Sequence, residues 1–350
     1  MKKQKTGIVL VLVIVLLIIV GSLIISRHSE NDFQYWKSDA ESLAALQDYV
    51  EDVTQPGSAN YIPMEDRIAV FDMDGTLYCE KAPIYIEWWM FAHRVLEDPS
   101  YEAPAELVSI ANEIMEAAES GIIPDDLEKK HAVGCAKAFA GMTLDEFRDY
   151  VNEFLLNEAK GFNGMRYCEA WYLPMLEVVD YLNRNDFTVY ICSGTDRFVC
   201  RALAEGMVDI PERQIIGMDS LCVASGQGET DGLDYVYTAN DDVVRSEHLI
   251  IKNVKANKVS QIVQEIGAKP VLAFGNSSGD FSMAMYTTAD NPYKSMAFMV
   301  VADDTEREFG DADKAQELNA KWASSGWVSI SMKNDWTTIY GENVTRDTGN

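Results

Sequence analysis

The sequence contains few histidines and no closely spaced pair of cysteines. Its four His residues lie singly along 350 residues, and its six Cys residues form no Cys-x-x-Cys pair. Because structural zinc sites are built from such clusters, we expect none in this chain. The even number of cysteines is compatible with disulfides outside the cytoplasm, but the spacing indicates no particular pairing. We interpret Cys192 as a free, buried thiol.

Positive charge is scarce as well. The chain has 29 Lys and Arg residues against 56 Asp and Glu, which gives a net charge of −27. Residues 1–27 contain four bases and no acid, so the remaining residues carry −31. So negative a field repels a phosphate backbone, which argues against a general nucleic-acid-binding protein. Most surface acids are expected to serve solubility alone, although the same field does not repel cations.

Only one long apolar run occurs, at the N-terminus, which argues against a polytopic transporter. Residues 7–25 carry no charge, and these 19 residues approach the roughly 20 that a helix needs to cross a bilayer. Lys2, Lys3 and Lys5 precede the run, which places the C-terminal body outside the cytoplasm. The run exceeds the roughly 7–15 apolar residues of a cleaved signal, and no Ala-x-Ala-like site follows it. We predict an uncleaved membrane anchor over 1–27, with secretion after signal cleavage as the alternative.

The rest of the chain alternates apolar runs with amphipathic helical patterns. With 47% hydrophobic residues it is neither disordered nor fibrous, and it is long enough for one large domain or two smaller ones. Runs typical of buried strands cover residues 67–71, 187–192, 270–274, 296–302 and 327–331. The alternation predicts an α/β fold with a Rossmann-like, mostly parallel sheet covered on both faces.

A long helical stretch separates the first two strand patterns. It includes a capping-box pattern at Thr143 and Glu146 and is interpreted as an inserted α-helical cap. A loop or hairpin is predicted over 226–242. The predicted organisation is an anchor (1–27), a juxtamembrane segment (28–66), an α/β core (67–77 and 185–335), a helical cap (78–184) and a C-terminal tail (336–350).

Polar, glycine-bearing clusters follow three of the predicted strands. They begin at Asp72, at Ser193 and at Gly275. Because ligands bind beyond the carboxyl ends of strands in open α/β sheets, we expect the clusters to meet in one crevice. Asp72 and Asp74 point the same way on an extended strand, and Asp280 adds a third carboxylate. Close carboxylates must share a cation or a proton, and a hard-oxygen site with few carboxylates suits Mg²⁺.

The same crevice would contain the other groups that phosphoryl transfer needs. The Ser193 hydroxyl and the amides of Gly194 and Thr195 can donate to phosphate oxygens. A lysine would neutralise charge in the transition state, and we assign this role to Lys258. It lies on the first turn of an amphipathic helical pattern, whereas Lys252 and Lys255 are fallbacks.

In their order along the chain, these clusters resemble the four motifs of the haloacid dehalogenase superfamily. Residues 70–77 resemble motif I, residues 191–194 motif II, Lys258 the motif III lysine and residues 274–283 motif IV. The resemblance covers about residues 67–332. The helical insertion resembles the C1-type cap of the phosphoserine-phosphatase-like branch.

The resemblance implies a role for each motif residue. Asp72 would be the nucleophile that forms an aspartyl-phosphate, and Asp74 would protonate the leaving oxygen and later deprotonate water. Ser193 and Lys258 would hold the transferring phosphoryl group. Mg²⁺ would be held by Asp72, Asp280 and the Asp74 carbonyl.

Asn276 departs from the family pattern, because many members have Asp at this position. Asn can still bind a metal water or orient Asp280, but it removes one negative charge from the metal site. We expect a weaker or altered metal site without loss of catalysis. Within the superfamily, an acid at Asp74 favours a phosphatase or phosphomutase over a dehalogenase or a transport ATPase.

The predicted function is therefore a membrane-anchored, Mg²⁺-dependent phosphomonoesterase with an extracytoplasmic catalytic domain. Its substrate would be a small phosphorylated metabolite, such as phosphoserine or phosphocholine, and no nucleic-acid or protein partner is predicted. Two alternatives stay open: a phosphotransferase or mutase of the same superfamily, and a catalytically weak binding protein for a cationic ligand. Aromatic residues of the cap can bind a cationic headgroup or form ordinary core: Tyr85, Trp88, Trp89, Trp171 and Tyr172.

Overall fold

The computed structural model describes residues 33–347, and from Tyr35 onwards the chain forms one compact unit. The anchor predicted over 1–27 lies outside the described residues. Among residues 33–347, no helix is long and apolar enough to cross a membrane. The anchor, its orientation and the location of the protein therefore stay predictions.

A seven-stranded sheet forms the centre of this unit, which confirms the predicted α/β class and the mostly parallel sheet. Its strands lie in the order β5-β4-β3-β1-β6-β7-β8, and only β4 and β5 pair antiparallel. The strands are β1 (Ile68–Phe71), β3 (Thr188–Asp196), β4 (Ile215–Ala224), β5 (Val243–Ile251), β6 (Leu272–Gly275), β7 (Met296–Val301) and β8 (Val328–Ser331). Since all four residues of β1 are buried, this strand is one apolar run between two neighbours.

Helices cover the sheet and fill the insertion between β1 and β3. They are α1 (Glu41–Thr54), α2 (Ile86–Leu96), α3 (Ala105–Ser120), α4 (Leu127–Ala138), α5 (Leu144–Leu155), α6 (Leu173–Arg184), α7 (Arg197–Ala204), α8 (Ala256–Gln261), α9 (Phe281–Thr288) and α10 (Ala312–Ser324). A π-helical turn, Ile262–Ile266, continues α8. The predicted capping box opens α5, where Thr143 Oγ1 accepts from the Glu146 amide and the Glu146 carboxylate accepts from the Thr143 amide.

Two backbone pairings tie the helical insertion to the rest of the unit. On one side, the loop before α5 pairs with β5: the Gly141 amide donates to the Arg245 carbonyl, and the Arg245 amide to the Met142 carbonyl. On the other, a two-residue strand β2 (Phe162–Asn163) pairs antiparallel with β9 (Thr345–Arg346). The segment predicted as a tail therefore contacts the cap, although the domain boundaries themselves stay predictions.

Aromatic rings form the centre of the sheet's core. Phe274 on β6 stacks on Phe71 of β1, with ring centroids 4.1 Å apart, and on Phe298 of β7, at 5.2 Å. These contacts fix the carboxyl ends of three adjacent strands relative to one another. All six cysteines are free, and Cys192 is fully buried as predicted.

Candidate active site

Three neighbouring strands of the sheet place the polar clusters side by side. Asp72 follows β1 directly, and its amide donates to the Phe274 carbonyl of β6, which extends the strand pairing by one residue (2.8 Å). A cavity of about 300 Å³ lies at this edge of the sheet. The sequence-predicted residues on its wall are Asp72, Asp74, Gly194, Thr195, Lys258, Asn276 and Asp280. The clusters from three distant parts of the sequence thus meet in one crevice, as expected for this class of sheet.

Ser193 does not line this cavity. Its side chain is fully buried, and its hydroxyl accepts from the Thr195 amide at 3.1 Å. The same hydroxyl lies 3.5 Å from Asp74 Oδ2, which is a weak contact. Ser193 is therefore buried behind the residues that line the cavity, and β3 continues past it to Asp196.

Lys258 bridges two carboxylates. Its Nζ donates to Asp72 Oδ1 at 2.5 Å and to Asp280 Oδ1 at 2.7 Å, and its side chain is buried. Burial raises the pKa of Asp72 well above its usual range, and Asp280 adds to the rise while Lys258 opposes it. For Lys258, burial lowers the pKa, but the attraction of Asp280 and Asp72 outweighs it and the net pKa is raised. One ammonium thus balances two buried carboxylates.

The loop after β6 wraps around Asp280. The amides of Asn276 and Ser277 donate to Asp280 Oδ2 at 3.1 and 3.0 Å, and the Ser277 hydroxyl adds a contact at 3.3 Å. The Asn276 backbone, rather than its side chain, therefore orients Asp280. The Asn276 amide group instead packs over Gly75, where an added Cβ would lie 1.9 Å from Asn276 Nδ2. Gly75 has a φ of +82°, so the turn after Asp74 favours glycine, and a side chain at this position would also displace the Asn276 amide group.

The two oxygens of Asp74 have different surroundings. Oδ2 accepts from Thr195 Oγ1 at 2.7 Å, whereas Oδ1 is buried and has no hydrogen-bond partner in the described part of the chain. Burial raises the pKa of Asp74 to about 6, against the lowering effect of Thr195. A carboxyl group with a pKa near neutrality can both donate and accept a proton at physiological pH.

Lys252 is a second lysine on the cavity wall that sequence reasoning kept only as a fallback. Its Nζ donates to the Gly194 carbonyl at 2.7 Å, while the Asn253 side chain donates to the Ser193 carbonyl at 2.9 Å. These two contacts fix the backbone that carries the Gly194 and Thr195 amides. The only sequence signal for Lys252 is that it precedes Lys258 by six residues.

The helical insertion supplies the opposite wall of the cavity. It contributes carboxylates and aromatic rings: Glu80, Tyr85, Glu87, Trp88 and Glu128. Burial raises the pKa of Glu87 to about 7. Of the five cap aromatics, only Tyr85 and Trp88 line the cavity, and the other three are buried in ordinary core. Sequence reasoning missed the three glutamates, because acids are frequent in this chain and nothing in their spacing distinguishes these.

The donor set fits a hard divalent cation. Within residues 33–347, no three His, Cys, Asp or Glu side chains converge closely enough to hold a metal ion by themselves. Mg²⁺, however, uses only one or two protein carboxylates and keeps several waters. Asp72 and Asp280 supply two carboxylates at the cavity with only one ammonium between them. Burial and the neighbouring charge of Asp280 raise the pKa of Asp72, as expected where two buried carboxylates share one positive charge.

Comparisons with known proteins show the family. Residues 69–285, well over half of the chain, match the family model of the haloacid dehalogenase-like hydrolases. No curated protein matches the sequence. A conserved protein of unknown function from Anaerococcus prevotii has a similar structure, with 14% identity and a TM-score of 0.51, over 90% of this chain and 100% of that one.

Two further solved structures are more distant. A cytosolic 5'-nucleotidase IIIB bound to cytidine shares 11% identity over 88% of this chain and 90% of that one, with a TM-score of 0.48. A phosphoserine phosphohydrolase-like protein from Francisella tularensis shares 15% identity over 74% of this chain and 99% of that one, with a TM-score of 0.39. The family match covers all the clusters that meet at the cavity, and the chain belongs to the haloacid dehalogenase-like hydrolases.

Proposed function

We propose that this protein is an Mg²⁺-dependent phosphomonoester hydrolase that works through an aspartyl-phosphate. The observation that carries the proposal is the bridge from Lys258 to Asp72 and Asp280, in a cavity that also contains Asp74. A nucleophilic carboxylate, a fixed cation and a second carboxyl group of raised pKa are the parts that such a reaction needs.

The proposed reaction has two halves, and Asp74 acts in both. The Asp72 carboxylate attacks phosphorus, the ester P–O bond breaks, and Asp74 gives its proton to the departing oxygen. In the second half, Asp74 takes a proton from water as the water oxygen attacks phosphorus and releases Asp72. Lys258 and the Gly194 amide balance the charge of the phosphoryl oxygens, whereas the Thr195 amide already donates to the Ser193 hydroxyl.

Mg²⁺ would be held by Asp72, Asp280, Asn276 and the Asp74 carbonyl. When bound there, it supplies positive charge to the phosphoryl oxygens. Since Asn276 is neutral, we expect the ion to bind less tightly than it would with a third carboxylate.

The proposal is tested by p-nitrophenyl phosphate hydrolysis with the purified full-length chain. We expect turnover with Mg²⁺, loss of turnover with EDTA, and a fall of at least about 10³-fold in kcat for Asp72→Asn, since the nucleophile is removed. Asp52→Asn, which changes an acid of α1 outside the cavity, is the matched control. Turnover that Asp72→Asn leaves unchanged would contradict the proposal, and transfer of phosphate to an added alcohol rather than to water would favour a phosphotransferase.

We further propose that the substrate carries a positive charge beside its phosphate. The cap wall presents Glu80, Glu87 and Glu128 together with the rings of Tyr85 and Trp88, whose centroids are 5.5 Å apart. The facing wall presents lysines, so a phosphate and a cationic group would bind at opposite ends of the cavity. Phosphocholine and phosphoserine are small substrates with this charge pattern.

A neutral isostere tests this preference. Phosphocholine and 3,3-dimethylbutyl phosphate have the same shape, but only phosphocholine is cationic. We expect kcat/KM to favour phosphocholine by about 2- to 30-fold, the range for one cation–π contact. Glu128→Gln should shrink this ratio, whereas equal values for the two esters in the wild type would contradict the preference.

A further inference from the structure

We infer that the Thr195 side chain is a positioning group for Asp74, because its hydroxyl occupies Oδ2 and leaves Oδ1 to exchange the proton with the ester oxygen. The distance from Thr195 Oγ1 to Asp74 Oδ2 is 2.7 Å, that of a good O–H···O hydrogen bond. Oδ1 is buried without a partner in residues 33–347, and Asp74 is one of the residues that line the cavity. This inference rests on the proposed phosphatase function.

The Thr195 hydroxyl is held in one place by its backbone and by its own shape. The Thr195 amide donates to the Ser193 hydroxyl, and β3 changes its register with β4 between Cys192 and Asp196. An added Cβ at Gly217 of β4 would lie 2.6 Å from the Thr195 carbonyl oxygen, so only glycine permits this close approach. Because threonine is branched at Cβ, its χ1 angle is restricted, and the hydroxyl keeps its direction towards Asp74.

The residue after Thr195 is anchored to the cap. The Asp196 amide donates to Glu87 Oε1 at 2.9 Å, and Glu87 lies in the first turn of α2. The Asp196 carboxylate is held in turn by Arg245 at 2.6 Å and by the Phe198 amide at 2.9 Å. The position of Thr195 thus depends on contacts from both the cap and the β4–β5 hairpin.

The hydrogen bond distinguishes the two oxygens of Asp74. Oδ2 accepts from the Thr195 hydroxyl, so Oδ1 is the oxygen left free to pass a proton to the ester oxygen. In the first step an oxygen of Asp72 bonds to phosphorus, and the ester P–O bond breaks with its electron pair moving to the ester oxygen. That oxygen takes the proton from Oδ1 and leaves as a neutral alcohol, while Asp74 becomes a carboxylate.

Two esters with different leaving groups show whether Thr195 positions Asp74 or only stabilises the cavity. The p-nitrophenolate anion leaves without being protonated, whereas the more basic phenolate needs the proton. A misplaced Asp74 therefore slows phenyl phosphate more than p-nitrophenyl phosphate. A general distortion of the cavity would slow both esters alike.

The test measures kcat/KM for both esters, with Mg²⁺, in the full-length wild type and in Thr195→Val, Thr195→Ala and Thr195→Ser. We expect the Val and Ala variants to lose about 10- to 100-fold on phenyl phosphate and less than about 3-fold on p-nitrophenyl phosphate. Thr195→Ser keeps the hydroxyl but not the branch at Cβ, and it should lose clearly less on phenyl phosphate than the Val and Ala variants. Thermal unfolding of each variant confirms that it is folded, and the Ala variant serves if the Val variant is not.

The inference would be overturned if the Val and Ala variants lost equally on the two esters, or if the Ser variant were as impaired as the Val variant. In either case, turnover by the wild type would leave the proposed function standing. A wild type that hydrolyses neither ester would overturn the proposed function, and the inference with it. The two failures are thus told apart by the wild-type measurement alone.

Discussion

Lys258 provides the positive charge at the centre of the candidate site. Its ammonium lies within hydrogen-bond distance of Asp72 and Asp280, and all three side chains are buried. Lys252, on the same wall, donates to the backbone carbonyl of Gly194 and is partly exposed. Removing Lys258 would leave two buried carboxylates without their ammonium, whereas removing Lys252 would leave a backbone carbonyl without its donor.

Replacing each lysine by glutamine separates these roles. We expect Lys258→Gln to lower kcat/KM for p-nitrophenyl phosphate by about 10²- to 10³-fold, since it removes a fixed charge aimed at the phosphoryl group. Lys252→Gln should cost about 10-fold or less, because Lys258 still balances the carboxylates. Comparable losses in the two variants would show that Lys258 has no special position.

Among the elements, the inner strands of the sheet were predicted from continuous apolar runs. The runs at 67–71, 270–274 and 296–302 correspond to the buried strands β1, β6 and β7 within two residues, and the run at 327–331 corresponds to β8, a half-buried edge strand. Such strands are continuous apolar runs because helices cover both sides of the sheet. The polar clusters at their ends could be found for the same reason, since the apolar run stops where the site begins.

The β4–β5 hairpin could not be predicted in the same way. The sequence predicted only a loop or hairpin over 226–242, without the two strands β4 and β5. The strand β5 lies at the sheet edge, and its residues are mostly half-buried or exposed, with Arg245 buried among them. An edge strand of this kind shows neither a continuous apolar run nor a clean alternation. The cap-side carboxylates were missed for a related reason, since only the folded chain brings Glu87 and Glu128 to the cavity.

Arg245 makes this hairpin important for stability. Its guanidinium pairs with buried Asp196 and lies over the Phe147 ring of α5 at 3.9 Å. We expect Arg245→Met to lower the free energy of unfolding by about 3–5 kcal/mol, because it leaves Asp196 buried without its ion pair. Arg148→Met is the matched control. It removes a partly exposed pair with Glu212 and should cost less than about 1 kcal/mol.

Urea unfolding of the two variants beside the wild type measures both values. If Arg245→Met cost no more than Arg148→Met, the hairpin would not depend on its buried ion pair, and the link from β5 to the cap would rest on the backbone pairing alone.

At the scale of the whole molecule, a buried contact between Glu308 and Tyr340 of the C-terminal segment makes the free energy of unfolding depend on pH. Glu308, which follows β7, is buried and accepts a hydrogen bond from the Tyr340 hydroxyl. Burial raises the pKa of Glu308 from 4.5 to about 7, although Tyr340 opposes the rise. The folded protein thus binds a proton at Glu308 that the unfolded chain has already released. Between about pH 4.5 and 7 this group makes the protein less stable as the pH rises.

Glu308→Gln tests this contribution. The variant cannot lose a proton, so its stability should fall less than that of the wild type between pH 5 and 8, by on the order of 3 kcal/mol. Glu306→Gln, an exposed neighbour, should keep the wild-type dependence. Urea unfolding at a series of pH values measures the difference. Parallel curves for wild type and Glu308→Gln would contradict the raised pKa.

The net charge of the molecule and the charges that line the cavity differ in sign over part of the cavity wall. A body of net charge −31 repels an anionic substrate at long range, yet the cavity wall carries Lys252, Lys255, Lys258 and Lys314. Three of the six acids that line the cavity, Glu80, Glu87 and Glu128, come from the cap and lie on the opposite wall. The proposed substrate would therefore meet the charges of the cavity rather than the total charge, and these charges are the basis for proposing a substrate with charges of both signs.

The central claim is that Asp72 takes the phosphoryl group, and one measurement tests it directly. In Asp74→Asn with p-nitrophenyl phosphate and Mg²⁺, the leaving group needs no acid, but release of Asp72 lacks its base. We predict a stoichiometric burst of p-nitrophenol and, after an acid quench, one phosphoryl group on the peptide that contains Asp72. A burst that leaves this peptide unmodified, or a label on another residue, would contradict the account.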